Sequence, residues 1–214
     1  MNRKKFFLAP VFVLTALLAG ASAAPAQTSA IDGLIKRMSQ VNSGLQSYTA
    51  TTHVDVTLHT LLGLAPALDG TYYYKQPDKQ AIVFDTVPAV AQAFQRVYPK
   101  FDPPSRWPAD YKIALLSSDA STTTLRMVPK NGGRVAHLDV KIDNANATPT
   151  SYTWTYTDGG YVTFDQQYAQ IGGNYLVKSQ SGKVELPSYK ADVVTSFSNF
   201  KVNVPIPDKV FEGG

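Results

Sequence analysis

Tyr48-Thr49-Ala50-Thr51-Thr52-His53-Val54-Asp55-Val56-Thr57-Leu58 is the stretch that decides the fold. Tyr48, Ala50, Thr52, Val54, Val56 and Leu58 alternate with Thr49, Thr51, His53, Asp55 and Thr57. A period of two is the mark of a strand with one face buried and one in water. Just upstream the period is different. Ile31, Leu34, Ile35, Met38, Val41 and Leu45 recur three and four residues apart, which predicts an amphipathic helix over 29–46, capped by Thr28 or Ser29. The switch at Tyr48 thus separates a helix from the start of a sheet.

Downstream, strand signals follow at short intervals. They cover Leu68–Lys75, Ala81–Phe84, Tyr111–Leu116, Thr122–Val128, Arg134–Ile142, Ser151–Thr157, Tyr161–Gln170, Asn174–Lys183 and Tyr189–Val202. The breaks are turn chemistry: Gln76-Pro77-Asp78-Lys79, Asn131-Gly132-Gly133, Asp143-Asn144-Ala145-Asn146, Asp158-Gly159-Gly160 and Gly172-Gly173-Asn174. Hairpin after hairpin predicts one antiparallel sheet in meander order. Val87–Tyr98 reads as a second helix, with Pro88 in its first turn and Val90, Phe94 and Val97 on one face. Pro99–Pro108 reads as a proline-rich loop carrying Trp107. The expectation is one α+β domain, with both helices on one face of a curved sheet.

The chain opens on Asn2-Arg3-Lys4-Lys5, an apolar run from Phe6 to Gly20, and Ala21-Ser22-Ala23. A basic start, an apolar middle and an A-x-A exit form the pattern of a cleaved secretory signal. The run is short for a membrane span, which needs about 20 apolar residues. Cleavage after Ala23 would leave residues 24–214 as a single exported domain, periplasmic or secreted. No residue of the chain is cysteine, so there is no thiol to carry the lipid of a bacterial lipoprotein, and no disulfide or thiolate metal site either. The formal charge of +4 includes Arg3, Lys4 and Lys5. Without them the chain is close to neutral, which is no footprint for nucleic acid.

Motifs for enzymatic chemistry are missing from the sequence. It holds no G-x-S-x-G elbow, P-loop or H-E-x-x-H. Of its three histidines, His53 and His59 share the polar face of one strand with Asp55 between them. Residues six apart on a strand are about 20 Å apart, too far to share a metal ion. His53 and Asp55 alone make a weak pair of ligands, and a solvated strand face explains them. His137 falls at a surface or edge position. The Asp143–Asn146 turn lacks the spaced carboxylates of a calcium loop. The sequence therefore predicts no catalytic residue, no metal site and no cofactor.

Aromatic residues are the positive signal: Tyr72, Tyr73, Tyr74, Trp107, Tyr111, Tyr152, Trp154, Tyr156, Tyr161 and Phe164 fall in or near strands. Ordinary cross-strand packing accounts for most of them. A sheet closed off by helices also leaves room for an apolar, ligand-binding cavity. One alternation of the strands would line it: Val54, Val56, Leu58, Tyr72, Tyr74, Leu125, Met127, Leu138, Val140, Trp154 and Tyr156. Val90, Phe94 and Val97 would cover it from the second helix. The other reading is that these side chains fill a solid core, since interiors are normally close-packed. Leu61-Leu62-Gly63-Leu64-Ala65-Pro66 is an unusually apolar connection. It reads either as a plug folded into the core or as a flap, with Leu61, Leu62 and Leu64 touching a membrane or partner.

Two longer motifs carry a family resemblance. Asp69-Gly70-Thr71-Tyr72-Tyr73-Tyr74-Lys75-Gln76-Pro77-Asp78-Lys79 resembles a strand and turn of the LolA-like family of exported lipoprotein and lipid carriers. Val202-Asn203-Val204-Pro205-Ile206-Pro207-Asp208-Lys209-Val210-Phe211 resembles that family's closing segment. With the signal, the helix and the first strand in the same order, the resemblance spans nearly the whole exported part. It implies a strongly curved antiparallel half-barrel sheet covered on its concave face by helices, with an apolar interior that receives acyl chains. It further implies a non-enzymatic, monomeric carrier of lipid or lipoprotein acyl chains in the cell envelope, with transient membrane or envelope-protein contact. The alternative is a sensory or protein-interaction module of the same fold that transports no ligand. Tyr48–Leu58 departs from the lipoprotein carriers in one respect: it contains no arginine, where they use one to tie the lid.

Overall fold

A computed structural model describes residues 23–59, 65–86 and 101–212. The expected second helix, with Val90, Phe94 and Val97, lies outside these residues, as do the signal segment and Leu61, Leu62 and Leu64.

Among the described residues, ten antiparallel strands form one open sheet. They are β1 (Ser47–Leu58), β2 (Ala67–Lys75), β3 (Lys79–Phe84), β4 (Tyr111–Ser118), β5 (Thr122–Pro129), β6 (Val135–Asp143), β7 (Thr148–Tyr156), β8 (Tyr161–Ile171), β9 (Asn174–Leu186) and β10 (Tyr189–Val202). Their spatial order is β3-β2-β1-β10-β9-β8-β7-β6-β5-β4. Each run of hairpins is a meander, as the turn signals predict. The joint between the runs, β1 against β10, comes from residues as distant as Leu58 and Ala191. No local signal marks it.

Alternation decides which face is buried. In β1, Ala50, Thr52, Val54, Val56 and Leu58 are buried while Thr51, Asp55 and Thr57 are exposed. The same inward set on the other strands includes Leu68, Leu125, Met127, Val140, Trp154, Val162, Phe164, Val184 and Val193. These form one continuous core with Ile31, Leu34, Ile35 and Met38 of helix α1 (Ala23–Gln40). Burying each such side chain contributes about 1.5–3 kcal/mol.

Helix α1 differs from expectation at both ends. It begins upstream of Thr28 and Ser29, which therefore do not cap it. Pro25 fits there because the first turn leaves its N–H groups unpaired in any case. It stops at Gln40 rather than residue 46. Asn42, Ser43 and Gly44 are poor helix formers, and the chain continues in tight turns, with Ser43 N–H donating to Gln40 O and Leu45 N–H to Asn42 O. Leu45 is still buried, so its spacing reflects burial through a turn. The described part of the proline-rich loop, from residue 101 on, is more regular than expected. Pro104–Arg106 forms a 3-10 turn and Trp107–Asp110 a short helix, α2. Trp107 is 1% exposed and its indole donates to Asp102 O at 2.9 Å.

Both family-like motifs have structural reasons. At Gly70, a Cβ would collide with the backbone of Val83 and Phe84, so β2 needs glycine to lie this close to β3. Asn203 turns the chain with φ of 54°, a conformation asparagine tolerates better than most residues. Its Oδ1 accepts from Gln46 N–H at 2.8 Å and its own N–H donates to Ser47 O at 2.7 Å. The closing segment then returns to the β2–β3 hairpin.

Candidate functional site

One end of the inner face is not filled by the described residues. A cavity of about 270 Å³ lies there between the end of α1, the sheet and the segment 101–104. Met38, Val41 and Leu45 form the helix-side wall, and Phe101 to Pro104 a second wall. The sheet contributes Tyr48 from β1, Tyr72 and Tyr74 from β2, Gln166 and Tyr168 from β8, Gln180 from β9 and Phe197 from β10. Exposed Gln80 stands at the rim.

Two hydrogen-bonded clamps hold these walls. The Asn42 amide donates to Tyr175 O and accepts from Tyr175 N–H, both at 2.9 Å. This pair of hydrogen bonds pins the turn after α1 to the start of β9. Gln80 donates to Phe101 O at 3.1 Å and accepts from the Tyr72 hydroxyl at 3.2 Å, linking β3 to the segment opposite.

Tyrosine is the dominant lining residue. The Tyr48 ring sits 5.4 Å from both Tyr72 and Tyr74, tilted by 32° and 36°. Tyr72 meets Phe197 edge-on at 5.6 Å. Such pairs contribute about 0.5–1.5 kcal/mol beyond their buried area. The Tyr168 hydroxyl donates to Gln166 Oε1 at 2.8 Å. Burial pushes the phenols of Tyr48, Tyr72 and Tyr168 above their ordinary range. A site that disfavours phenolate is one of low effective dielectric.

The residues expected from sequence to line a cavity divide in two. Tyr72 and Tyr74 do face it. Val54, Val56, Leu58, Leu125, Met127, Leu138, Val140 and Trp154 are instead in the packed core, each 6% exposed or less. Tyr156 is half-buried beside that core, with the Arg134 guanidinium 5.3 Å above its ring. The described interior thus has a packed half and a half with a cavity. Sequence reasoning missed Tyr48, Gln166, Tyr168 and Gln180 as lining. Tyr48 was identifiable, since it shares the face of Tyr72 and Tyr74. The glutamines were not, because a polar residue at an inward position reads as a break in the pattern.

The histidines are tied up on the outer face. His53 Nδ1 lies 2.7 Å from Asp69 and its Nε2 3.3 Å from Asp55. The hydrogen bond to Asp69 raises the His53 pKa. His59 Nε2 lies 2.8 Å from Asp192. Among the described residues no group of three or more His, Cys, Asp or Glu side chains is arranged to hold a metal ion. No described helix is long and apolar enough to cross a membrane.

Solved structures share this architecture. A DUF1329 family protein from Desulfovibrio piger superposes with a TM-score of 0.68 at 16% identity, covering 87% of this chain and 98% of that one. A domain described as that of an outer membrane lipoprotein-sorting protein, from Vibrio parahaemolyticus, gives 0.65 at 11% identity, covering 84% and 95%. The LolA superfamily protein NE2245 from Nitrosomonas europaea gives 0.59 at 13%, covering 85% and 96%. No family model matches the sequence, and no curated protein does. The chain therefore has a LolA-like fold. At these identities the likeness speaks for the fold alone.

Proposed function

We propose that the protein is an exported, non-enzymatic binder of a lipidic ligand, taking one acyl chain or a comparable amphiphile into the cavity beside Tyr48. The observation that carries this reading is the cavity itself. Among the described residues the sheet is close-packed at one end and left open at the other, where Met38, Val41 and Leu45 present apolar walls. An interior void that packing alone would have closed costs stability. At about 270 Å³ it falls just under the usual range of small-molecule pockets, about 300–1,000 Å³. That size suits one chain rather than several. Each methylene desolvated there would add about 0.8 kcal/mol. The LolA-like fold supports the reading, as do the basic–apolar–A-x-A start for export to the periplasm or medium and the absence of cysteine for a protein without a lipid anchor.

Mass spectrometry of organic extract from protein purified out of the host envelope tests this. A lipid bound near one per protein is the expected result. Protein that carries none, and takes up none from envelope extract, would contradict it. The apolar segment around Leu61, Leu62 and Leu64 is assigned here to membrane or partner contact during transfer. Leu62→Asp with Leu64→Asp should then keep the fold and lose liposome association. An unfolded double mutant would place the segment in the core.

A further inference from the structure

We infer that the cavity selects an amphiphile with a cationic head, an alkylammonium group held between the tyrosine rings and the Asp102 carboxylate. This deepens the reading above and rests on it.

The lining carries charge of one sign. Among the described residues that form it, none is lysine, arginine or histidine, and Asp102 alone is charged. Asp102 is half-buried. Its carboxylate accepts from the Tyr111 hydroxyl at 3.5 Å, a long hydrogen bond. It makes no ion pair among the described residues, and Arg106, four residues on, is taken up by Asp78 and Asp110. A carboxylate in a largely apolar wall normally finds a counter-charge. A cleft of one sign with walls of low dielectric focuses its field on whatever enters.

Much of the remaining wall is aromatic. Tyr48, Tyr72 and Tyr74 come from β1 and β2, Tyr152 and Tyr168 from β7 and β8. Strands β10 and β9 lie between the two sets, yet the sheet brings them together. Burial, and then the nearby phenols of Tyr152 and Tyr72, push the Tyr168 phenol up. Ring faces attract a cation within about 6 Å of the centroid, most strongly where water is excluded. Tyr152 adds an acceptor. It is 6% exposed, and its hydroxyl has no hydrogen-bond partner among the described residues; burial alone pushes its phenol up. A phenol oxygen can accept from an ammonium N–H.

Other heads fit less well. A carboxylate or phosphate would meet Asp102 with like charge, and no described lining residue is a base to pair with it. An alcohol or amide would gain little from either the carboxylate or the ring faces. An alkylammonium group uses both, while its chain takes the apolar wall of Met38, Val41 and Leu45.

Calorimetric titration of the exported form at neutral pH with octylammonium, 1-octanol and octanoate tests this. Octylammonium should bind about tenfold more tightly than octanol, and octanoate most weakly. Asp102→Asn, nearly isosteric and still able to accept from Tyr111, should bring octylammonium to about the affinity of octanol at unchanged melting temperature. Tyr152→Phe keeps the ring and removes the acceptor. It should weaken octylammonium about threefold and leave octyltrimethylammonium, which has no N–H, unchanged. Octanol or octanoate binding as tightly as octylammonium, or a preference for the cation that survives Asp102→Asn, would overturn this inference and leave the lipid-binding reading intact. If Asp102→Asn does not fold, Tyr152→Phe decides: equal losses for the two cations, or no loss for either, would overturn it. Failure of all three probes to bind the unmodified protein would overturn both readings.

Discussion

Lys79 Nζ donates to Asp208 Oδ1 at 2.9 Å across 129 residues of sequence. Lys75 donates to the same oxygen at 2.9 Å, and Lys79 also lies 5.9 Å from the centroid of Phe211. The two motifs that carry the family resemblance are thus the two halves of one tie. It holds the closing segment against the β2–β3 hairpin, whose Tyr72 and Tyr74 form part of the cavity wall.

The tie makes a pH prediction. Hydrogen bonds from Lys79 and Lys75 lower the Asp208 pKa from 3.8 to about 2. A depressed carboxyl contributes stability that is fully present above its unfolded value and is lost as pH falls through the folded one. The closing segment should therefore stay docked down to the region between 3.8 and about 2. The Phe211 ring resonances followed by NMR should titrate with a midpoint near the lower value. Asp208→Asn should remove that titration. A midpoint near 3.8 would mean the tie does not form in solution.

Leu125 is 0% exposed in the packed half of the interior, whereas half-buried Ile82 lines the cavity. Leu125→Ala should cost about 2–5 kcal/mol in urea unfolding, the usual range for a buried leucine. Ile82→Ala should cost clearly less, because its side chain has neighbours on only part of its surface. Equal losses would mean that the cavity is closed in solution.

Gly182 lies opposite Phe164 in register between β9 and β8. A Cβ on Gly182 would run into the Phe164 ring, which in turn packs on Trp154 and Phe101 at 6.2 and 5.7 Å. Gly182→Ala should therefore lower stability by about 1–3 kcal/mol, the range for forcing extra volume into a packed core. It should also shift the Trp154 fluorescence. A neutral substitution would show that the ring has room to move.

How much of this was legible can be judged from particular residues. The period-two run from Tyr48 to Leu58 identified β1, and turn residues marked the hairpins, because both signals are local. The β1–β10 joint was invisible because it depends on pairing between the two ends of the chain. The cavity was half legible. Periodicity tells which face a residue takes, and it puts Tyr72 and Tyr74 on the same face as Tyr48. It cannot tell how far along that face packing extends, so Val56 and Leu125 looked the same as Tyr72 until the position of α1 was known. That position depends on Asn42 ending the helix and gripping Tyr175, which no hydrophobic pattern records.

The most direct test of the account is to fill the cavity. Val177 is half-buried in its wall, opposite Tyr168. Binding of a fluorescent fatty probe should be measured for the unmodified protein and for Val177→Trp, with melting temperatures alongside. The account predicts saturable binding at one site, lost in Val177→Trp at little change in melting temperature. Equal binding by the two proteins, or none by the unmodified one, would contradict it.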